Sequence, residues 1–167
     1  MKIYYNTFKS PIGEILVTRT EKGLSFVSFP KNTWEKFLLA LGKDKSIELI
    51  RNENKFLSLK SDLKDYFSGK KVVFKEKLDL TGGTDFQKKV WTAMLKIPYG
   101  ETRSYGWLAQ QAGGKNKARA TGAACGTNPI PLIIPCHRVI KSDKTLGGYS
   151  SGLGIKRKLL KIEGVEI

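Results

Sequence analysis

One of the two cysteines of this 167-residue sequence, Cys136, stands directly before its only histidine, His137. They end the run Asn128-Pro129-Ile130-Pro131-Leu132-Ile133-Ile134-Pro135, which prolines stiffen and apolar side chains dehydrate. Cysteine attacks as thiolate, a few per cent of the population at an ordinary pKa of about 8.5. An adjacent imidazole can take the thiol proton if an acceptor orients it in turn. Neighbours on a strand point to opposite faces, so the pair can cooperate only if Cys136 opens a turn or a helix, or if a water bridges the two groups.

The candidate orienter is Glu163, on a last helix expected over 151–163 with Ile155, Leu159 and Ile162 on its buried side. Either Glu163 continues that stripe inward and needs a partner such as His137, or it points to water beside Gly164. Between these groups lies Lys141-Ser142-Asp143-Lys144-Thr145-Leu146-Gly147-Gly148-Tyr149-Ser150-Ser151-Gly152. It reads as a binding loop that offers the hydroxyls of Tyr149 and Ser150, or as a connector.

The elements that must carry these residues form a mixed α/β chain. Residues 2–29 alternate apolar and polar residues around Ser10-Pro11-Ile12-Gly13 and Glu21-Lys22-Gly23, which predicts three antiparallel strands. Helices follow over 31–41, packing Trp34, Phe37, Leu38 and Leu41 ahead of Gly42, and over 54–68, packing Phe56, Leu59, Leu63, Tyr66 and Phe67 ahead of Gly69. Residues 72–80 alternate like a further strand. Thr81-Gly82-Gly83 then divides the chain, giving an N-terminal domain over 1–80 and a C-terminal, mostly helical domain over 81–167.

In the second half, Thr84-Asp85-Phe86-Gln87 has the pattern of a capping box opening a helix with Phe86, Val90, Met94 and Ile97 on its stripe. Tyr105, Leu108, Ala109 and Ala112 mark a short helix that Gly113-Gly114 ends. Asn116 can cap another over 117–125, and the pair has the size of a helix-turn-helix. This second helix is nearly bare, with Ala118, Ala120, Gly122, Ala123 and Ala124, and its start is basic, with Lys115, Lys117 and Arg119. Such a helix can lie against a nucleic-acid backbone, or it can pack tightly inside the domain.

Composition narrows the partners. Thirty Lys and Arg against fifteen Asp and Glu give a formal charge of +15. Nucleic acid is the first expectation for an anionic partner and an acidic membrane surface the second. No run is long enough to span a bilayer, and the first residues read as a strand rather than a signal peptide, so the expected location is the cytoplasm, or the nucleus of a eukaryote. Two cysteines build no disulfide framework, and with one histidine they leave too few soft ligands for a structural zinc.

Together these residues resemble the O6-alkylguanine-DNA alkyltransferases, also called methylated-DNA–protein-cysteine methyltransferases. Pro135-Cys136-His137-Arg138-Val139 is similar to their active-site signature. The likeness extends through Phe86, residues 100–112, Ala118-Arg119-Ala120, Asn128-Pro129-Ile130-Pro131, residues 147–153 and Glu163. The resemblance implies a ribonuclease-H-like N-terminal domain and a winged-helix-like C-terminal one. It implies that Cys136 takes the alkyl group from guanine O6, that His137 deprotonates it through a water, and that Glu163 holds the imidazole. Asn128 would brace the turn before the active-site loop. Tyr149 would hydrogen-bond guanine N3 and help protonate the leaving base, and Ser150 would contact O6. Tyr105 would rotate the target phosphate, Arg119 would fill the gap in the base stack, and the carbonyls of Cys136 and Val139 would accept from the guanine amine. Lys115 and Lys117 would meet the DNA backbone.

The implied partner is duplex DNA carrying O6-alkylguanine, met by a monomer with no obligate protein partner, no cofactor and no metal. Cys125 stands where the family's pocket wall often has methionine, Gly126 where a basic residue is common, and Gly148 where asparagine is frequent. These departures bear on the size of alkyl group accepted, and Cys125 itself reads as an inert wall residue. Two rivals use parts of the same pattern. A DNA-binding module without catalysis would keep its function in Cys136→Ser, and a Cys136–His137–Glu163 hydrolase would turn over repeatedly.

Overall fold

In the computed structural model, which describes residues 1–29, 34–114 and 116–167, the alternating start of the chain forms β1 (Lys2–Ser10), β2 (Gly13–Thr20) and β3 (Gly23–Ser28). Both connections are antiparallel, closing at Ser10 opposite Gly13 and at Thr20 opposite Gly23. The first turn is held by the Ser10 hydroxyl, which donates to the Gly13 carbonyl at 2.6 Å. Ile15, Leu16 and Val17 of β2 are all fully buried, so the strand gains apolar burial on both of its faces.

Two expectations about this sheet change. It has a fourth strand, β4 (Glu48–Arg51), parallel to β1 at the edge, in the order β3-β2-β1-β4. Its four residues hold a single apolar pair, Leu49 and Ile50, too little for a period to show; pairing with β1 creates it. Residues 72–80 form no strand. They touch the sheet at one bridge, Leu24 to Leu78, where the Leu24 amide donates to the Lys77 carbonyl and the Asp79 amide to the Leu24 carbonyl. Gly23, at φ +145°, makes room for this crossing, since a Cβ there would lie 2.3 Å from the Lys77 oxygen.

Helix α1 (Trp34–Gly42) lays Phe37 flat on Phe26 of β3, ring centroids 3.8 Å apart. The expected start at Lys31 and the side chain of Trp34 lie outside the described residues. The helix expected over 54–68 begins as a 3-10 turn, Asn54–Phe56, and continues as α2 (Leu57–Phe67). Phe56, Leu59, Leu63 and Tyr66 are buried, and Phe56 meets Phe8 of β1 edge to face. These elements make one compact unit, Met1–Asp79, and Leu80–Ile167 make a second.

The second unit opens on α3 (Asp85–Met94), capped as the sequence predicts. The Gln87 amide donates to the Thr84 hydroxyl, and the Thr84 amide donates to the Gln87 side chain. Its buried face holds Val90, Trp91, Ala93 and Met94, whereas Phe86 is half-buried. Val90, Met94 and Ile97 of the expected stripe are buried, and Trp91 joins them because its indole N–H has a partner inside, the Ala124 carbonyl at 2.8 Å. The strands β5 (Arg103–Ser104) and β6 (Val139–Ile140) pair in parallel. Between them come α4 (Tyr105–Gln111) and α5 (Ala118–Gly126), packed on each other and on α3. Helix α6 (Leu153–Ile162) closes the chain. None of the described helices is long and apolar enough to cross a membrane.

Candidate active site

The chain approaches the thiol through a braced turn. Asn128 donates from Nδ2 to the Ile134 carbonyl at 2.8 Å and accepts the Ile130 amide on Oδ1 at 3.0 Å. Inside this turn Leu132 sits at φ 76°, a left-handed conformation that strains any residue but glycine. The Asn128 bonds and the burial of Ile130, Ile133 and Ile134 hold it there. Cys136 then opens a 3-10 turn, Cys136–Arg138, so the thiol and the imidazole are not forced to opposite faces as they would be on a strand.

His137 is completely buried, and its Nε2 lies 2.8 Å from Glu163 Oε1. Glu163 therefore points inward, from the residue that caps the end of α6. Its carboxylate is also clasped by Arg138, whose Nε reaches Oε2 at 2.9 Å and whose second guanidinium nitrogen reaches Oε1 at 2.8 Å. The Gly100 amide adds a bond at 3.2 Å, and the remaining Arg138 nitrogen donates to the Ile97 carbonyl at 2.8 Å. Burial alone would raise the Glu163 pKa, but the bonds from His137 and Arg138 outweigh it and hold the carboxyl at about 2.

An ionised Glu163 fixes the tautomer of its neighbour. Nε2 must carry the proton to donate to a carboxylate, which leaves Nδ1 as a lone-pair acceptor. Nδ1 is buried and has no hydrogen-bond partner among the described residues. Burial pushes the His137 pKa down against the raising effect of Glu163, so the imidazole rests neutral.

Cys136 is 6% exposed. Burial pushes its thiol up, against the Asn128 and Tyr149 side chains and the nearby charge of Lys156, which favour the thiolate. The resting thiol is thus protonated, with stabilising groups already placed around the anion it would become. Cys125 lies in the wall, its sulfur 3.7 Å from that of Met94, and burial pushes its thiol up to about 12.

Two members of the site carry no signal that the sequence pattern used. Arg138 follows the Cys-His pair directly and serves as the second partner of Glu163. Lys156 of α6 is fully buried, with its ammonium on the carbonyls of Val139, Leu146 and Gly148. The buried side of α6 is accordingly Lys156, Leu159 and Leu160, and the expected Ile155 and Ile162 are half-buried. The spacing Lys156, Leu159, Leu160, Glu163 is itself i, i+3, i+4, i+7, so a lysine on an apolar stripe was the available clue.

The profile of the 6-O-methylguanine DNA methyltransferase DNA binding domain matches residues 85–165, and that of the same family's ribonuclease-like domain matches residues 3–80. The chain belongs to the 6-O-methylguanine DNA methyltransferase family. The methylated-DNA–protein-cysteine methyltransferase of Methanosarcina acetivorans is 46% identical over 166 residues, covering 97% of this chain and 99% of the relative. The crystal structure of the Mycobacterium tuberculosis O6-methylguanine methyltransferase superposes with a TM-score of 0.83 at 40% identity, covering 96% of this chain and 92% of that one. The Mycobacterium tuberculosis OGT in complex with DNA gives 0.82 at 39% identity, covering 98% and 92%.

Within the family's DNA-binding domain, α4 and α5 form the helix-turn-helix. Arg119 and Lys117 are exposed on α5 and at its N-terminal boundary, and the Lys117 ammonium lies 5.2 Å from the centre of the Phe86 ring. The expected cap Asn116 does not serve; Lys117 holds the N-cap position, with no side-chain bond. Lys115 lies outside the described residues. Tyr105 is half-buried, and its hydroxyl donates to the Gly148 carbonyl at 3.4 Å. Ser150 is exposed on the loop beside Tyr149. The Val139 carbonyl, expected to face guanine, already accepts from Lys156 at 2.7 Å. Among the described residues, no group of three or more His, Cys, Asp or Glu side chains could hold a metal ion.

Proposed function

We propose that this chain reverses alkylation damage in duplex DNA by moving the alkyl group from guanine O6 to its own Cys136, once per molecule. The observation that carries this reading is the protonic arrangement at the thiol. Glu163 accepts the Nε2–H of His137 and leaves Nδ1 available as an acceptor, on the residue next to a buried cysteine whose thiolate the Asn128 and Tyr149 side chains favour.

In this reading His137 Nδ1 takes the Cys136 proton through a water. The thiolate attacks the alkyl carbon, and the C–S bond forms as the C–O6 bond breaks. Guanine leaves with that electron pair, and the proton taken from Cys136 returns to it by way of Tyr149. The thioether that results is a poor leaving group, so the protein is spent. No cofactor enters, because the lesion supplies the alkyl group.

The target atom is buried in the duplex, so the nucleotide must be flipped out at a cost of about a few kcal/mol. Tyr105 turns its phosphate, and Arg119 fills the stack it leaves. Lys115 and Lys117 meet backbone phosphates, which suits a helix too bare to read base edges. Ser150 contacts O6, and the carbonyl of Val139 accepts from the guanine amine with its second lone pair. The protein acts as a monomer wherever the cell keeps its DNA.

The deciding experiment mixes the protein with a slight excess of duplex carrying one O6-methylguanine and measures intact and peptide masses. One added methylene on the Cys136 peptide, with guanine restored in the DNA, is the expected result. An unmodified protein that still binds the duplex would overturn it in favour of a binding module, and release of product beyond one equivalent would indicate a turning-over hydrolase.

A further inference from the structure

Lys156 is a cation on the apolar stripe of α6, and no part of it reaches solvent. An ammonium has three donors and no acceptor, and burying it is unfavourable unless each donor is met. Here each is met by a neutral carbonyl, Leu146 at 2.5 Å, Val139 at 2.7 Å and Gly148 at 3.1 Å. No ion pair neutralises it among the described residues. It lies instead 5.9 Å from the ring centres of both Tyr105 and Tyr149.

The three carbonyls are not scattered. Val139 leaves the turn that carries Cys136 and His137, while Leu146 and Gly148 end the loop that delivers Tyr149. One ammonium therefore fastens the exit from the Cys136 turn to the loop that delivers Tyr149. Gly147 makes the fastening tight, because at φ +69° a Cβ there would lie 3.0 Å from the Tyr105 ring. A methionine could fill the same volume without desolvating a charge, so packing alone gives no reason for lysine.

We infer that Lys156 is a positioning residue of the transfer step, clamping Val139, Leu146 and Gly148 so that the loop bearing Tyr149 stays docked on the turn that carries Cys136. Its unneutralised charge acts in the same direction, since a cation near a developing thiolate favours it. The titratable groups that face it are Cys136, His137, Cys125 of α5, Tyr105 of α4 and Tyr149. This inference rests on the alkyl-transfer reading, and the test separates the two.

Single-turnover transfer from O6-methylguanine duplex is followed against pH for the wild type, Lys156→Met, Tyr149→Phe and the double variant, with duplex affinity measured alongside. Transfer by the wild type tests the reading itself; the ratio of variant to wild type tests the lysine. Lys156→Met is expected to bind duplex within about twofold of wild type but to transfer about tenfold or more slowly, as loss of an outer-shell partner does. The rising limb of its pH profile should move to higher pH, and the double variant should be no slower than the slower single one. A folded Lys156→Met with the wild-type rate and pH profile, or full additivity with Tyr149→Phe, overturns the inference. If the methionine variant does not fold, Lys156→Gln decides, because it cannot hold all three carbonyls, turns an acceptor oxygen on them and drops the charge: a wild-type rate and profile in it would be equally fatal.

Discussion

Arg138 and Glu163 form a two-pronged ion pair, at 2.9 and 2.8 Å, on the carboxylate that also holds His137. The arrangement divides labour. Arg138 keeps the buried carboxylate ionised, and the ionised carboxylate keeps the Nε2 proton of His137 in place, so that Nδ1 is the basic atom. The pair His137–Glu163 is thus extended to a chain, His137–Glu163–Arg138.

Arg138→Met should therefore damage stability more than most single changes, because it leaves a carboxylate buried with too few partners. A loss of about 3–5 kcal/mol is expected for breaking a buried pair. It should appear in urea titrations as a lower midpoint with an unchanged slope.

The same pair makes stability depend on acid. The folded Glu163 pKa of about 2 lies below its ordinary 4.5, so its contribution is present in full above 4.5 and is lost as pH falls towards 2. The displacement corresponds to about 3 kcal/mol. Urea midpoints of the wild type should fall across that window, and those of Glu163→Gln should fall less. At neutral pH the glutamine variant should transfer about a hundredfold more slowly or worse, because a neutral amide no longer enforces the tautomer.

Tyr149→Phe removes a hydroxyl that favours the Cys136 thiolate. The thiol should then be harder to ionise, moving the rising limb of the transfer rate to higher pH. A slowing of about tenfold near neutrality is expected for the loss of one bond to a charged group. An unmoved profile would show that the hydroxyl contributes nothing to ionisation.

Gly147→Ala tests the loop by shape alone. The added methyl must occupy a left-handed backbone and displace the Tyr105 ring, at a cost of about 1–3 kcal/mol. Thermal unfolding should occur a few degrees lower, and transfer should slow because the segment that delivers Tyr149 shifts.

Local physics made much of this protein legible in its sequence. The β1–β3 meander was readable because period-two alternation and turn residues coincide, and the start of α3 because Thr84 and Gln87 have the spacing of a capping box. The Cys136–His137 pair and the inward register of Glu163 could be read as chemistry, although burial against water stayed open for Glu163. What the tertiary structure decided were relationships between distant residues. β4 exists because β1 offers it an edge, and residues 72–80 stay outside the sheet because they meet β3 at a single bridge. Lys156 and Arg138 become parts of the site only when the turn at Cys136, the loop ending at Gly148 and the end of α6 converge. A buried charge is tolerated only where carbonyls or a counter-charge meet it, and those partners lie 8 to 41 residues away along the chain. No local pattern records such a meeting.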